Sequence, residues 1–376
     1  MNQENTTEKS NSYIAGLELS RMFYEQAVKP ILDDNFPALR YSAGLIGSGS
    51  EVLGFDTEMS SDHDWGPRVM IFLEEEACAL DLRHMQNALE KELPRQFLGY
   101  STNFTPSNVE ESRNEQFHVA RDGVSNHRVE LSTAKQYFLD YLGFDISAEI
   151  YPADWLTFPE QKLGTIKGGA IFRDDIDLEK VRQRFAYYPD DVWLYLLASA
   201  WKRIEQEEHL MGRAGFVGDE IGSAIIASRL VRDLMHLCFL MEREYAPYSK
   251  WLGTAFARLK AAATLKPIFT KVLLAPNWQE RQTNLSRAYE YVAQCHNQLG
   301  ITDTIPANIK PFFTRPFEVI SMGRFSTAII ERIADKSMKA IASRRPIGAI
   351  HQFSDNTDLL VDPSRRLMLR GLYADV

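Results

Sequence analysis

The chain has 376 residues, 45% of them hydrophobic and 25% charged, a balance that describes a folded globular protein and excludes a disordered or fibrous one. A net charge of -9 argues against a dominant nucleic-acid surface. No stretch approaches the roughly 18 apolar residues of a membrane span, and Cys78, Cys238 and Cys295 are too far apart to match a metal-ligand spacing.

The length suits two domains, because single cores usually stop growing near about 250–300 residues. Residues 1–12 are polar and read as a flexible N-terminus. The string MNQENTTEKSNS lacks a basic-then-apolar export pattern, so a cytoplasmic protein is expected. From Tyr13 to about Asp34 an apolar stripe of Leu17, Leu19, Phe23, Tyr24, Val28 and Leu32 recurs at helical spacing. Tyr41 to Ile46 reads as a first strand ending in the turn Gly47-Ser48-Gly49-Ser50, and Val69 to Leu73 as a second. A helix is expected over Asp81 to Leu93, with Pro94 at its end. The polar segment 101–126 reads as an insertion or long loop. Val129-Glu130-Leu131 is a third strand, followed by a helix from Thr133 to about Tyr141.

Residues 13–150 thus predict an α+β domain with a mixed sheet and flanking helices. Residues 151–376 predict a mainly helical, substrate-binding domain, with helical periodicity over 177–211, 219–245, 247–262, 281–298 and about 321–343. Little regularity is expected from Asp355 to Val376. Gly212, Gly215 and Gly218 read as a hinge loop, since no strand precedes them and the spacing is not GxGxxG. Arg229 and Asp233, at i and i+4, are expected to face each other on one helix.

The chemistry concentrates in GSGSEVLGFDTEMSSDHD, residues 47–64. Asp62 and Asp64, if on regular strand, point to one face, with His63 turned away. Glu130 stands inside an apolar run, where a carboxylate is costly unless it meets a ligand or solvent. Three such acids make the hard, all-oxygen site that Mg²⁺ prefers, and two ions there can clamp an in-line displacement at phosphorus. The Gly47–Ser50 turn can offer N–H groups and hydroxyls to phosphate oxygens. No GxxxxGK[ST] exists, which weakens a kinase or ATPase reading. In YAPYSKW, residues 245–251, Lys250 sits in the first turn of a helix, where it can meet an anion or lie over its aromatic neighbours.

This arrangement resembles the nucleotidyltransferase superfamily with the polymerase-beta-like fold. The string SSDHDWGPRVMIFL more closely resembles the DUF4037 proteins, a bacterial subgroup carrying that domain before a helical one. The resemblance, over roughly residues 40–135, implies that Gly47 and Ser48 grip phosphate and that Asp62, Asp64 and Glu130 hold two Mg²⁺ ions. It implies that Glu130 also takes the acceptor's proton and that Lys250 neutralises the triphosphate of ATP or another NTP. Trp65-Gly66-Pro67 departs from the pattern, in which the strand usually follows the second acid directly. The expected activity is transfer of a nucleoside monophosphate, AMP by default, to a hydroxyl with release of pyrophosphate. The acidic balance favours a small-molecule acceptor over nucleic acid or membrane and leaves room for a homo-oligomer. The alternatives are a protein adenylyltransferase or antitoxin-like regulator, and a non-catalytic nucleotide-binding protein.

Overall fold

A mixed four-stranded sheet organises the first part of the computed structural model, which describes residues 13–60, 65–106, 117–119, 127–321 and 323–373. Its strands are Tyr41–Leu45 (β1), Val69–Leu73 (β2), Val129–Thr133 (β3) and Ala170–Asp174 (β4), in the order β3-β2-β1-β4. β2 runs antiparallel to β1 and parallel to β3, and β1 runs antiparallel to β4.

The chain enters through Gly16–Phe23 (α1), a π-helical stretch Tyr24–Val28, and Lys29–Asn35 (α2). Between β2 and β3 comes the long helix Glu75–Glu92 (α3), and after β3 comes Ala134–Leu142 (α4). β2 is buried at all five positions, so both sheet faces are covered, as an uninterrupted apolar strand requires. Val69, Ile71 and Leu73 join Leu19, Phe23, Val28 and Leu89 in one core. Phe72, on the opposite face, meets the edge of Tyr137 from α4. Thr133 caps α4 by accepting the Gln136 N–H, and Gly143 ends it in the left-handed region.

The chain divides into two units, residues 1–148 with 165–186, and residues 149–164 with 187–376. The helix Glu160–Lys167 (α5) contributes to both segments. The second unit is helical, built on Asp190–Glu207 (α6), Glu220–Met241 (α7), Ser249–Phe256 (α8) and Trp278–Gln298 (α9). Trp201 of α6 is fully buried and stacks on Phe325 at 4.3 Å. The Trp193 indole donates to Leu240 O at 2.7 Å, tying α6 to the end of α7.

The α+β plan and the first three strands match the sequence reading, and several boundaries differ. β4 lies beyond residue 150, so the sheet takes an edge strand from a region expected to be mainly helical. α3 begins six residues earlier than the apolar spacing suggested, with Glu75 and Glu76 in its first turn facing the positive end of the helix dipole. The helix expected over 177–211 is three, Leu178–Gln183, α6 and Leu210–Phe216. Pro189 stands at the N-cap of α6 and disfavours helical geometry at Tyr188 before it. The span 321–343 holds two helices, the second capped by Asp335. Ala262–Leu273 is an additional helix that carries Pro267 inside it.

Gly212 and Gly215 do not form a hinge loop. They lie in a helix, and a Cβ on Gly215 would stand 2.1 Å from the Trp278 side chain. The tail has more order than expected: the Arg366 and Arg370 guanidinium groups each donate to Asp154 at 2.9 Å. Among the described residues, no helix is long and apolar enough to cross a membrane.

Candidate functional site

β1 delivers the chain into the turn at Gly47–Ser50, and two glycines there adopt backbone geometry that other residues rarely reach. Gly47 has φ 85° and Gly49 has φ 140°. A Cβ on Gly47 would lie 2.6 Å from the Tyr137 phenol oxygen. One on Gly49 would lie 2.2 Å from Arg68 Nη2 and 2.6 Å from Glu51 Oε2. The turn is therefore drawn tight against side chains that need the missing methyl groups' space.

Arg68, just before β2, explains the closeness. Its Nε donates to Glu51 Oε1 at 2.8 Å, and its Nη2 donates to the carbonyl of Ser48. Both side chains of this ion pair are withdrawn from solvent, to 10% and 2% exposure. The turn after β1 is thereby fastened to the entry of β2. Gly47 also donates its N–H to Thr165 O at 3.1 Å.

Two tyrosines of α4 back the turn. The Tyr141 phenol lies 2.7 Å from Thr165 Oγ1 and also hydrogen-bonds the Ser48 side chain. Burial raises its pKa. Tyr137 is buried to 9% exposure, yet its hydroxyl has no hydrogen-bond partner. Burial, then Tyr141 and Glu130, push its pKa well above that of free tyrosine, so the group is a neutral phenol. Ser48 is exposed.

Glu130 occupies the second position of β3, in register with Met70 of β2, and is exposed. Solvent relieves the burial problem that its apolar neighbours suggested. Arg128 donates to the Trp65 carbonyl at 3.3 Å. His127 accepts the Val129 N–H at 3.2 Å, and burial lowers its pKa.

Asp62, His63 and Asp64 lie outside the described residues. Asp56, before them, and Trp65, directly after them, are held by hydrogen bonds. The Asp56 carboxylate accepts from the Gly16 N–H at 2.7 Å, from the Trp65 indole at 3.1 Å and from the Tyr13 phenol. Burial alone would raise the Asp56 pKa, but these bonds outweigh it and hold the group below the usual carboxylate range. Trp65 is buried and stacks on Tyr13. Gly66, with φ 138°, and Pro67 then bend the chain before β2. Strand alternation begins only at Val69, so the same-face argument for the two acids does not extend back from β2. Among the described residues, no three His, Cys, Asp or Glu side chains gather into a metal-binding group.

Lys250 belongs to the second unit, in the first turn of α8. It is exposed, and its Nζ lies 5.1 Å from the centre of the Trp251 ring. Arg229 and Asp233 do not pair. Arg229 reaches Glu207 at 2.7 Å, and Asp233 takes Arg203 at 2.9 Å, both across from α7 to α6. Helical spacing makes two residues neighbours, but here better partners stand on the adjacent helix. The sequence reading did not single out Glu51, Asp56, Tyr137 or Tyr141. Their partners lie 9 to 43 positions away in the Glu51 and Asp56 contacts, beyond any local spacing rule.

Comparison with known proteins bears on the helical half. Residues 155–252 match the model of DUF4037, a domain of unknown function. The match to DUF4037 includes Lys250 and excludes Asp62, Asp64 and Glu130, the reverse of the expected span of resemblance. No curated protein matches the chain. A solved nucleotidyltransferase-like protein from Exiguobacterium sibiricum 255-15 is 10% identical, over 73% of this chain and 77% of that one, with a TM-score of 0.35.

Proposed function

We propose that the chain is a metal-dependent nucleotidyltransferase that moves a nucleoside monophosphate, AMP by default, from an NTP to a hydroxyl of a small-molecule acceptor. The observation that carries this reading is the turn at Gly47–Ser50, pinned by the Glu51–Arg68 pair and backed by an unpartnered hydroxyl. Tyr137 is a buried donor without an acceptor, and such a group is expensive unless something polar reaches it. A phosphate oxygen at the turn would satisfy it, in the space that a Cβ on Gly47 would fill.

The donor set fits the metal that this chemistry needs. Glu130 is an exposed strand carboxylate, and with Asp62 and Asp64 it would make an oxygen-only set suited to Mg²⁺. Two Mg²⁺ ions held by these three acids would supply charge neutralisation at the α-phosphate and the leaving pyrophosphate. The turn N–H groups and the Ser48 and Tyr137 hydroxyls orient the triphosphate. The acceptor oxygen bonds to the α-phosphorus, its proton passes to Glu130, and the bond to the pyrophosphate oxygen breaks.

The test is calorimetric titration of the four NTPs with Mg²⁺ into the wild type and the Asp62→Ala/Asp64→Ala variant. Metal-dependent binding that disappears in a folded variant supports the reading and identifies the donor. Failure of every NTP to bind a well-folded wild type in Mg²⁺ would remove it.

A further inference from the structure

A second site lies wholly inside the helical unit and shares none of the groups assigned above. It is a cavity of ≈ 940 Å³ between α5, α6, α7 and the segment from Arg345 to Asp355, within the range of small-molecule sites of about 300–1,000 Å³. Its lining from Glu160 to Leu240 falls inside residues 155–252, the span of the DUF4037 match.

The inner wall is polar and uncharged. Glu160 is 5% exposed, and its Oε1 has no hydrogen-bond partner. Burial lifts its pKa to about 8, so it is mostly a neutral acid at pH 7. His351 lies 3.5 Å from Glu160, and its Nδ1 is also unpartnered. Burial, followed by the charge of nearby cationic or imidazole groups, lowers His236 to about 4 and His351 to about 3. The contact between Glu160 and His351 is therefore a polar contact of two neutral groups and not an ion pair.

The outer wall carries five cations, Lys202, Arg203, Arg229, Arg232 and Arg345, against Asp233 and Asp355, in a chain whose net charge is -9. Four of them have carboxylate partners: Lys202 is held by Glu205, Arg203 by Asp233, Arg229 by Glu207, and Arg232 by Asp355 at 3.2 Å. Each guanidinium has five N–H donors, and one carboxylate uses two at most. Asp355 is itself 72% exposed, so it competes weakly for Arg232 with a stronger anion.

We infer that this cavity binds a phosphorylated sugar or polyol, with the phosphate on Arg229, Arg232 and Arg345 and the hydroxyls on Glu160, His236 and His351. Guanidinium groups suit a phosphate because they bind its oxygens in a planar, bidentate fork. Neutral acid and imidazole groups suit hydroxyls, since both can donate and accept without burying a charge. The inference stands independently of nucleotidyl transfer in the first unit.

Calorimetry on the full chain tests it, with a panel of triose to heptose phosphates, each beside its parent sugar and beside inorganic phosphate. At least one sugar phosphate should bind more tightly than both of its halves. Arg232→Ala and Arg345→Ala should each weaken that binding about tenfold. Asp355→Ala should strengthen it several-fold by freeing Arg232, an outcome that misfolding cannot imitate. The Asp62→Ala/Asp64→Ala variant should bind as the wild type does. The inference fails if no panel member binds, if binding survives both arginine substitutions, or if the double aspartate variant abolishes it.

Discussion

Tyr137 concentrates the functional argument into one atom. Its ring packs against Phe72, Phe138 and Tyr141, and only its hydroxyl lacks a partner. Tyr137→Phe keeps the packing and removes a buried donor, so stability should hold or rise slightly. If the hydroxyl serves a phosphate oxygen, Mg²⁺-dependent NTP affinity should fall about tenfold in the same variant. Thermal unfolding and calorimetry together make the check, because a purely structural tyrosine would lower stability and leave affinity alone. Gly49→Ala makes the opposite contrast. It forces a side chain into φ 140° and onto the Glu51–Arg68 pair, and it should destabilise the chain by about 1–3 kcal/mol in urea unfolding.

At the scale of elements, that same pair joins the turn after β1 to the entry of β2. Removing one partner strands a buried charge, so Glu51→Gln or Arg68→Met should each cost about 3–5 kcal/mol. The double variant should recover much of this loss, because neither charge then remains unpaired. A double-mutant cycle in denaturant measures the coupling, and additive losses would show that the pair does not act as a unit. Trp65→Ala would instead free one end of the segment that carries Asp62 and Asp64. Its expected signature is a drop in nucleotide affinity larger than its drop in stability would account for. The strands that frame this region were legible in the sequence because Val69 to Leu73 is an unbroken apolar run and the short apolar segment Tyr41 to Ile46 runs into the Gly47-Ser48-Gly49-Ser50 turn. The brace was not legible, because Glu51 and Arg68 meet only when β1 and β2 pair. β4 was hidden for a related reason: Ala170 to Asp174 is half-exposed and carries neither an unbroken apolar run nor the alternation that marks a strand. The cavity of the second unit was hidden more deeply. Glu160 and His351 are 191 positions apart in the chain, and only the closure of the helical unit gives them a shared environment.

That closure also sets how the whole molecule should respond to pH. Glu160 titrates near 8 in the folded chain against an ordinary value of 4.5. Between these values the native state holds a proton that the unfolded chain releases, so stability falls as pH rises through the window. The slope for one such group is at most about 1.4 kcal/mol per pH unit. His236 and His351 act in the other direction, since burial lowers both from 6.5 to about 4 and about 3. Below pH 6.5 the unfolded chain takes up protons that the native state refuses, and stability is lost as the solution is acidified. The two opposing limbs place the stability maximum of these groups near pH 6.5, where the two histidines are half protonated in the unfolded chain and neutral in the fold, so that their combined slope offsets that of Glu160, still protonated in the fold. Glu160→Gln keeps the shape of the protonated acid and removes its titration. It should therefore flatten the alkaline limb, leave the acid limb in place, and make the variant more stable than the wild type at pH 8 to 9. Urea unfolding at a series of pH values reads this directly. A wild-type alkaline limb that persists unchanged in Glu160→Gln would mean that Glu160 is already ionised in the fold, and the uncharged inner wall of the cavity would have to be given up with it.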